Sequence, residues 1–226
     1  MLRVTALLLM LAAPAFAAAP DAGVKPRIAI LYFEPRTNDP DMIVFAKGLA
    51  ELMINDLLAT DAVRVVERAR LEEIINELKL GESRFADKST FAKIGKILGT
   101  DYLVTGSIVN LGKGKYMLAP RLSESESAEF VSGLVNIPLD GDDVLAGEQK
   151  AVADIAALLT KRGVLGVADP PKRNHKLPLT TGLKYAKALD AKDKKDKAKA
   201  KDLLSEVVKE QPDFKLAQLD LLSLRD

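Results

Sequence analysis

The residue types that could do chemistry are few and scattered. Among 226 residues there is no cysteine and a single histidine, His175. Disulfides, thiolate nucleophiles, thiolate metal sites and lipid attachment through cysteine are therefore excluded. His175 stands among prolines without a neighbouring nucleophile or acid in sequence, and reads as a solvated side chain. Asp140, Asp142 and Asp143 lack the remainder of a calcium loop, including its terminal glutamate, and read as helix-capping groups. Gly112-Lys113-Gly114-Lys115 has no following Ser or Thr and opens a strand, so it is a turn and not a phosphate loop. Glu124, Glu126 and Glu129 lie in a Ser-rich loop that offers no burial to separate their pKa values for acid-base work. No nucleophilic, metal or nucleotide motif emerges, and no enzyme or cofactor is expected.

Charge excludes a further class. Lys and Arg number 33 against 32 Asp and Glu, a formal net charge of +1, without the basic excess of a nucleic-acid binder. Local imbalance remains between Lys184 and Lys201, where eight lysines meet three aspartates. That stretch could touch an anionic membrane surface or an acidic protein, although a solvated helix face explains it as well.

The elements that must position any site are clearer. From Ile94 to Val109 a helix stops and a strand begins within three residues. Gly99 sits where a left-handed residue would close the helix, and Tyr102 to Val109 carries apolar groups on both faces, as expected of a central, covered strand. Gly106 allows a bulge or a close neighbour there. Arg27 to Glu34 predicts a first strand. Met42, Phe45, Leu49, Leu52 and Met53 then predict a helix to about Thr60, with Lys47, Glu51 and Asn55 on its opposite face and Gly48 marking a close approach to the sheet. A short strand follows at Asp61 to Glu67. Leu71, Ile74, Ile75 and Leu78 predict a helix closed by Gly81, and Ser89 or Asp87 caps the next. Lys115 to Leu122 predicts a strand in which Pro120 argues for an edge or a bulge, and Phe130 to Pro138 another. A last helix begins at Asp140 and ends at Lys161-Arg162. The fold class is α/β: a mixed β-sheet packed with helices over residues 25–162, followed by a small α-helical tail.

Residues 1–19 predict a cleaved secretory signal: a basic start, an apolar run too short to span a bilayer, and Ala15-Phe16-Ala17 as the cleavage site. The mature chain is expected to be periplasmic. Pro170, Pro171 and Pro178 mark residues 163–178 as a linker. Residues 179–226 predict two or three small helices that would be marginal alone, and that dock on the domain or on a partner. Gly182, Tyr185, Ala200, Leu204 and Pro212 resemble a tetratricopeptide unit, provided the Lys192 to Lys197 turn carries about six extra residues.

Three stretches carry a resemblance to a known family. Arg27 to Glu34, with Arg36-Thr37-Asn38-Asp39-Pro40, resembles the opening strand and loop of the CsgG and TolB N-terminal-like family. Val63 to Arg68 with Leu71 resembles its strand-to-helix step, Leu98 to Ser107 its "LGADYLVTGSV" stretch, and Ala119 to Leu122 its next strand, so the likeness runs over about 27–160. The resemblance implies a non-enzymatic envelope protein that binds other proteins in assembly or secretion of surface structures, such as curli. The alternatives it leaves open are an oligomeric export ring, built from copies of this chain, and an LpoB-like activator of a cell-wall synthase, the flagellar FlgO being another relative. The tight turn at Gly112 to Gly114 leaves no strand pair for a membrane pore. The partner-contacting residues that the loops and strand ends present are Arg36, Thr37, Asn38, Asp39, Arg68 and Arg121, with peripheral membrane contact a further option. For Arg68 and Glu67, pairing or capping between neighbouring elements competes with that role.

Overall fold

The computed structural model describes residues 25–37, 39–78, 88–131, 133–164, 169–170 and 172–224. The expected signal segment, Asn38, Gly81 and Asp87 lie outside the described residues, as does nearly all of the polar loop before α3. Seven strands form one mixed sheet in the order β3-β1-β4-β5-β6, with β2 pairing β4 and β7 pairing β5. These are β1 (Arg27–Ile30), β2 (Glu34–Pro35), β3 (Arg64–Val65), β4 (Tyr102–Gly112), β5 (Lys115–Glu124), β6 (Phe130–Val131) and β7 (Ile137–Asp140). The helices are α1 (Pro40–Leu58), α2 (Arg68–Glu77), α3 (Lys88–Leu98), α4 (Val144–Lys161), α5 (Leu179–Asp193), α6 (Lys197–Glu210) and α7 (Lys215–Ser223).

Strand β4 is the central element, parallel to β1 on one side and antiparallel to β5 on the other. Gly99 has φ +60° and closes α3, as its position in the sequence predicts. The hairpin turns through Lys113 and Gly114, both at positive φ (54° and 72°), the two-residue turn whose twist matches the strands. Because β3 and β4 flank β1 on opposite sides, two right-handed crossovers place α1 and α3 on opposite faces of the sheet.

Several expectations change. The first strand is broken: Ile30 pairs with Val104 but Glu34 with Ser107, so β1–β2 carries one residue more than β4 over this interval. The bulge lies there and not at Gly106; β4 has its own register shift further on, between Asn110 and Gly112. Gly106 serves the close neighbour, since a Cβ on it would sit 2.4 Å from the Phe33 ring and 2.4 Å from the Ala119 carbonyl oxygen. The second strand shrinks to Arg64–Val65 because Asp61 turns the chain at φ 52° and pairing is confined to β1, through Arg64 N–H to Pro26 O and Val66 N–H to Ile28 O. Phe130 to Pro138 is two strands, β6 and β7. Pro120 is not on an edge strand: it faces Gly106, and on its other side falls between the pairings of β7 (115–118) and β6 (122–123), where β5 has no partner strand for an N–H to bond. Ser89 lies inside α3 rather than capping it. The three aspartates do less capping than expected: Asp140 pairs with Lys115, and Asp143 occupies the N-cap of α4 while its carboxylate accepts from Leu177 N–H.

The tail is where the structure departs furthest from a helical-period reading. The Lys-rich segment is mostly helix, the turn between α5 and α6 being residues 194–196 with Lys195 at φ 62°. Gly48 meets α5 and not the sheet: a Cβ there would lie 2.7 Å from Ala186 Cβ and 3.3 Å from its Cα. One apolar cluster runs from Ile28 of β1 through α1 and α4 to Tyr185, Leu204, Phe214 and Ala217 of the tail. No described helix is long and apolar enough to cross a membrane.

Candidate functional site: an arginine notch on the sheet face

Strand register assembles the site. Glu34 pairs with Ser107 and Thr105 with Arg121. Since side chains alternate faces, Glu34, Arg36, Thr105, Ser107 and Arg121 share one face of β2, β4 and β5. Phe130 is brought alongside by the pairing of β6 with β5, where it lies opposite Ser123. Helix α3 covers the neighbouring part of this face. Gly95 approaches Ser125, and Phe91 stacks edge-on to Phe130 with ring centroids 6.5 Å apart. Beyond the end of that cover lies a small depression lined by Glu34, Arg36, Phe91, Thr105, Gly106, Ser107 and Arg121, with a volume of about 30 Å³.

The electrostatics of the notch are lopsided. Arg36 pairs with Glu34 at 3.3 Å. Arg121 has no carboxylate partner among the described residues, and its guanidinium lies over the Phe130 ring at 5.3 Å from the centroid. A stacked guanidinium keeps its N–H edge free to donate in the plane. Thr105 is buried and Ser107 half-buried, and neither hydroxyl makes a hydrogen bond among the described residues.

Two of the expected contact residues, Arg36 and Arg121, thus come together from segments 85 positions apart in sequence. Thr37, Asp39 and Arg68 do not join them, and Asn38 lies outside the described residues. Asp39 caps α1, its carboxylate accepting from Asp41 N–H at 3.0 Å, and Thr37 Oγ1 accepts from Asp39 N–H. Arg68 is buried, with its side chain 7% exposed, and donates to Asp193 of α5 at 2.6 Å. Its Nε also lies 3.2 Å from Glu51, an ion pair without hydrogen-bond alignment. Pairing between elements, rather than a surface role, is where Arg68 stands. Phe91, Phe130, Thr105 and Ser107 belong to the notch, although their sequence context reads as helix core and strand. Only the register between strands could have revealed them.

A second, buried group of charges joins α1, α2 and α5. Lys47 Nζ lies 3.0 Å from both Glu72 and Asp190, and the Tyr32 hydroxyl donates to Glu72 at 2.8 Å. Burial would lower the Lys47 pKa, but the bonds to Glu72 and Asp190 outweigh it and hold the ammonium above its usual range. Burial pushes the Tyr32 phenol well up. Burial also raises Glu51 and Asp193, the latter against the pull of Arg68. Deeper still, Arg173 of the segment before α5 grips Asp56 of α1, next to Glu148 of α4. Glu148 is fully buried and neither of its oxygens finds a donor. Burial and the adjacent Asp56 charge raise its pKa well above the usual carboxylate range, Arg173 opposing them. As a neutral acid, Glu148 can donate to Asp56. Among the described residues no group of three or more His, Cys, Asp or Glu side chains could hold a metal ion.

Residues 12–117 match the family described as curli production assembly/transport component CsgG. The likeness to that family is therefore shown for the segment through β4 and into β5; it stops short of Arg121 and of residue 160. A comparison with curated proteins found no match. Among solved structures, lipoprotein GNA1162 from Neisseria meningitidis is similar at 15% identity and TM-score 0.44, over 61% of this chain and 96% of that one. The LpoB C-terminal domain from Escherichia coli is similar at 16% identity and TM-score 0.42, over 54% and 87%. That from Salmonella enterica stands at 14% identity and TM-score 0.37, over 52% and 84%.

Proposed function

We propose that this chain is a non-enzymatic protein of the bacterial envelope that works by binding another protein during assembly or transport of surface structures, and that the face carrying Arg36 and Arg121 is its contact surface. The observation that carries the reading is the Arg121 guanidinium, which has no carboxylate partner among the described residues, beside an exposed aromatic, Phe130. Arginine with aromatic neighbours is the composition of energetic centres in protein interfaces. The family match to a curli assembly and transport component supports the envelope setting. Delivery there rests on the signal segment read at residues 1–19, and the tetratricopeptide-like tail packs on the domain through α5 and completes its core.

The test is a photo-crosslinking residue placed at Glu129, next to Phe130 in the chain, and another at Lys209 on α6, both exposed, in the full chain inside its own cell. A discrete crosslinked protein from position 129 and none from 209 is the expected result. No crosslink from 129, or equal capture from both positions, would overturn the reading.

A further inference from the structure

The dimensions of the notch say what kind of group it accepts. A volume of about 30 Å³ compares with the roughly 10–15 Å³ that a single water needs. It admits a pair of oxygen atoms and excludes a sugar, a nucleobase or any drug-sized ligand, which needs about 300 Å³ or more. A ligand that engages it must be a small anion or one functional group of a larger molecule. The polar groups are all donors save one. Arg121 stands on β5 opposite Thr105, and Arg36, one residue past β2, stands level with Val109, so the two lie toward opposite ends of the depression, roughly 16 Å apart at the backbone by the spacing of strands and residues, and both side chains reach its lining. Among the described residues Glu34 is the one carboxylate lining the site, 3.3 Å from Arg36. Two guanidinium charges and one carboxylate leave a single positive charge, matched by a monoanion. A second negative charge would be drawn toward Glu34 without a partner of its own.

We propose that the notch formed by Arg36, Arg121, Thr105 and Ser107 is a receptor for one carboxylate group, presented by an acidic side chain or chain terminus of a partner protein, with Phe130 packing against the apolar stem that carries it. Arg121 supplies the paired N–H donors for the two carboxylate oxygens. Thr105 and Ser107 provide hydroxyl donors on the floor, and Arg36 turns from Glu34 to the incoming group. This inference rests on the contact surface proposed above and deepens it by giving the partner's chemistry.

The experiment uses the full chain labelled with 15N-arginine, the Arg121 and Arg36 Nε–H resonances being assigned by their loss in R121Q and R36Q. N-acetylglutamate α-amide, its neutral glutamine counterpart and inorganic phosphate are titrated separately. The expected result is a saturating shift of both resonances with the glutamate compound, none with the glutamine compound, and a weaker response to phosphate. R121Q should weaken carboxylate binding about tenfold, the loss of one charge-assisted pair, at an unchanged thermal midpoint. No saturating shift at Arg121, retention of binding in R121Q, or tighter binding of phosphate than of carboxylate would overturn the proposal. The Glu129 crosslink separates the two readings. If it persists while the carboxylate titration is silent, a partner binds this face but not through the notch. If the titration succeeds and the crosslink is absent, the notch stands and the contact surface falls.

Discussion

The buried seam between α1, α2 and α5 and the open notch on the sheet are both built from arginines and carboxylates, yet they are settled in opposite ways. In the seam, Arg68 and Lys47 each face at least two acids, Glu51, Glu72, Asp190 and Asp193 among them. Every cation there is answered from within the chain. In the notch, Arg121 lies over an aromatic ring and has no carboxylate partner among the described residues. Desolvation explains the difference. A charge removed from water must be compensated by the fold itself, whereas a charge at the surface can be left for another molecule to compensate. Which charges are structural can be judged from whether the chain completes them.

That contrast can be broken most severely at its buried end. Replacing the buried Arg68 by Met leaves the half-buried Asp193 and Glu51 without their cation, and should cost about 3–5 kcal/mol in urea unfolding; a loss below 1 kcal/mol would mean that the seam is dispensable. Gly48→Leu comes next. It forces bulk against the Ala186 backbone and should cost roughly 1–3 kcal/mol, with proteolysis in the segment before α5 rising as the tail lifts. A tail that stays protected would show that α1 and α5 can separate without consequence.

Glu148 sharpens the comparison through pH. Its native pKa is raised by burial and by Asp56, so the native state binds the proton more tightly than the unfolded chain does. Stability then falls as pH rises from the ordinary glutamate value toward the raised one. Glu148→Gln, which donates to Asp56 at every pH, should flatten that slope and leave the variant more stable than the parent at the alkaline end. Parallel pH–stability curves for the two proteins would show that Glu148 does not hold the proton. Arg121→Gln should have the smallest effect on folding, within about 0.5 kcal/mol, as the removal of a surface charge with no ionic partner among the described residues requires.

Local signals were legible and distant ones were not. Gly99, the Lys113-Gly114 turn and the central strand follow from residue types a few positions apart, and each stands where the sequence predicts. The seam could not be read this way. Lys47 and Asp190 are 143 residues apart and Arg68 and Asp193 are 125 apart. On a helical wheel Lys47 and Glu51 mark the outward side of α1, but α5 lies against that side. A period of 3.6 shows one apolar face; it cannot show a second face covered through small residues and paired charges. The broken first strand escaped for a related reason, because the extra residue between Ile30 and Glu34 is defined only against the register of β4. The notch needed the same information across three strands.

The contact between Gly48 and Ala186 also bears on how the chain is made. Synthesis delivers α1 early and α5 only after the whole sheet, so α1 must wait through well over a hundred residues with one side uncovered. Closure of so long a loop is slow. A chain interrupted before α5 exposes to proteases a surface that the finished protein hides, which makes completeness itself a condition of survival.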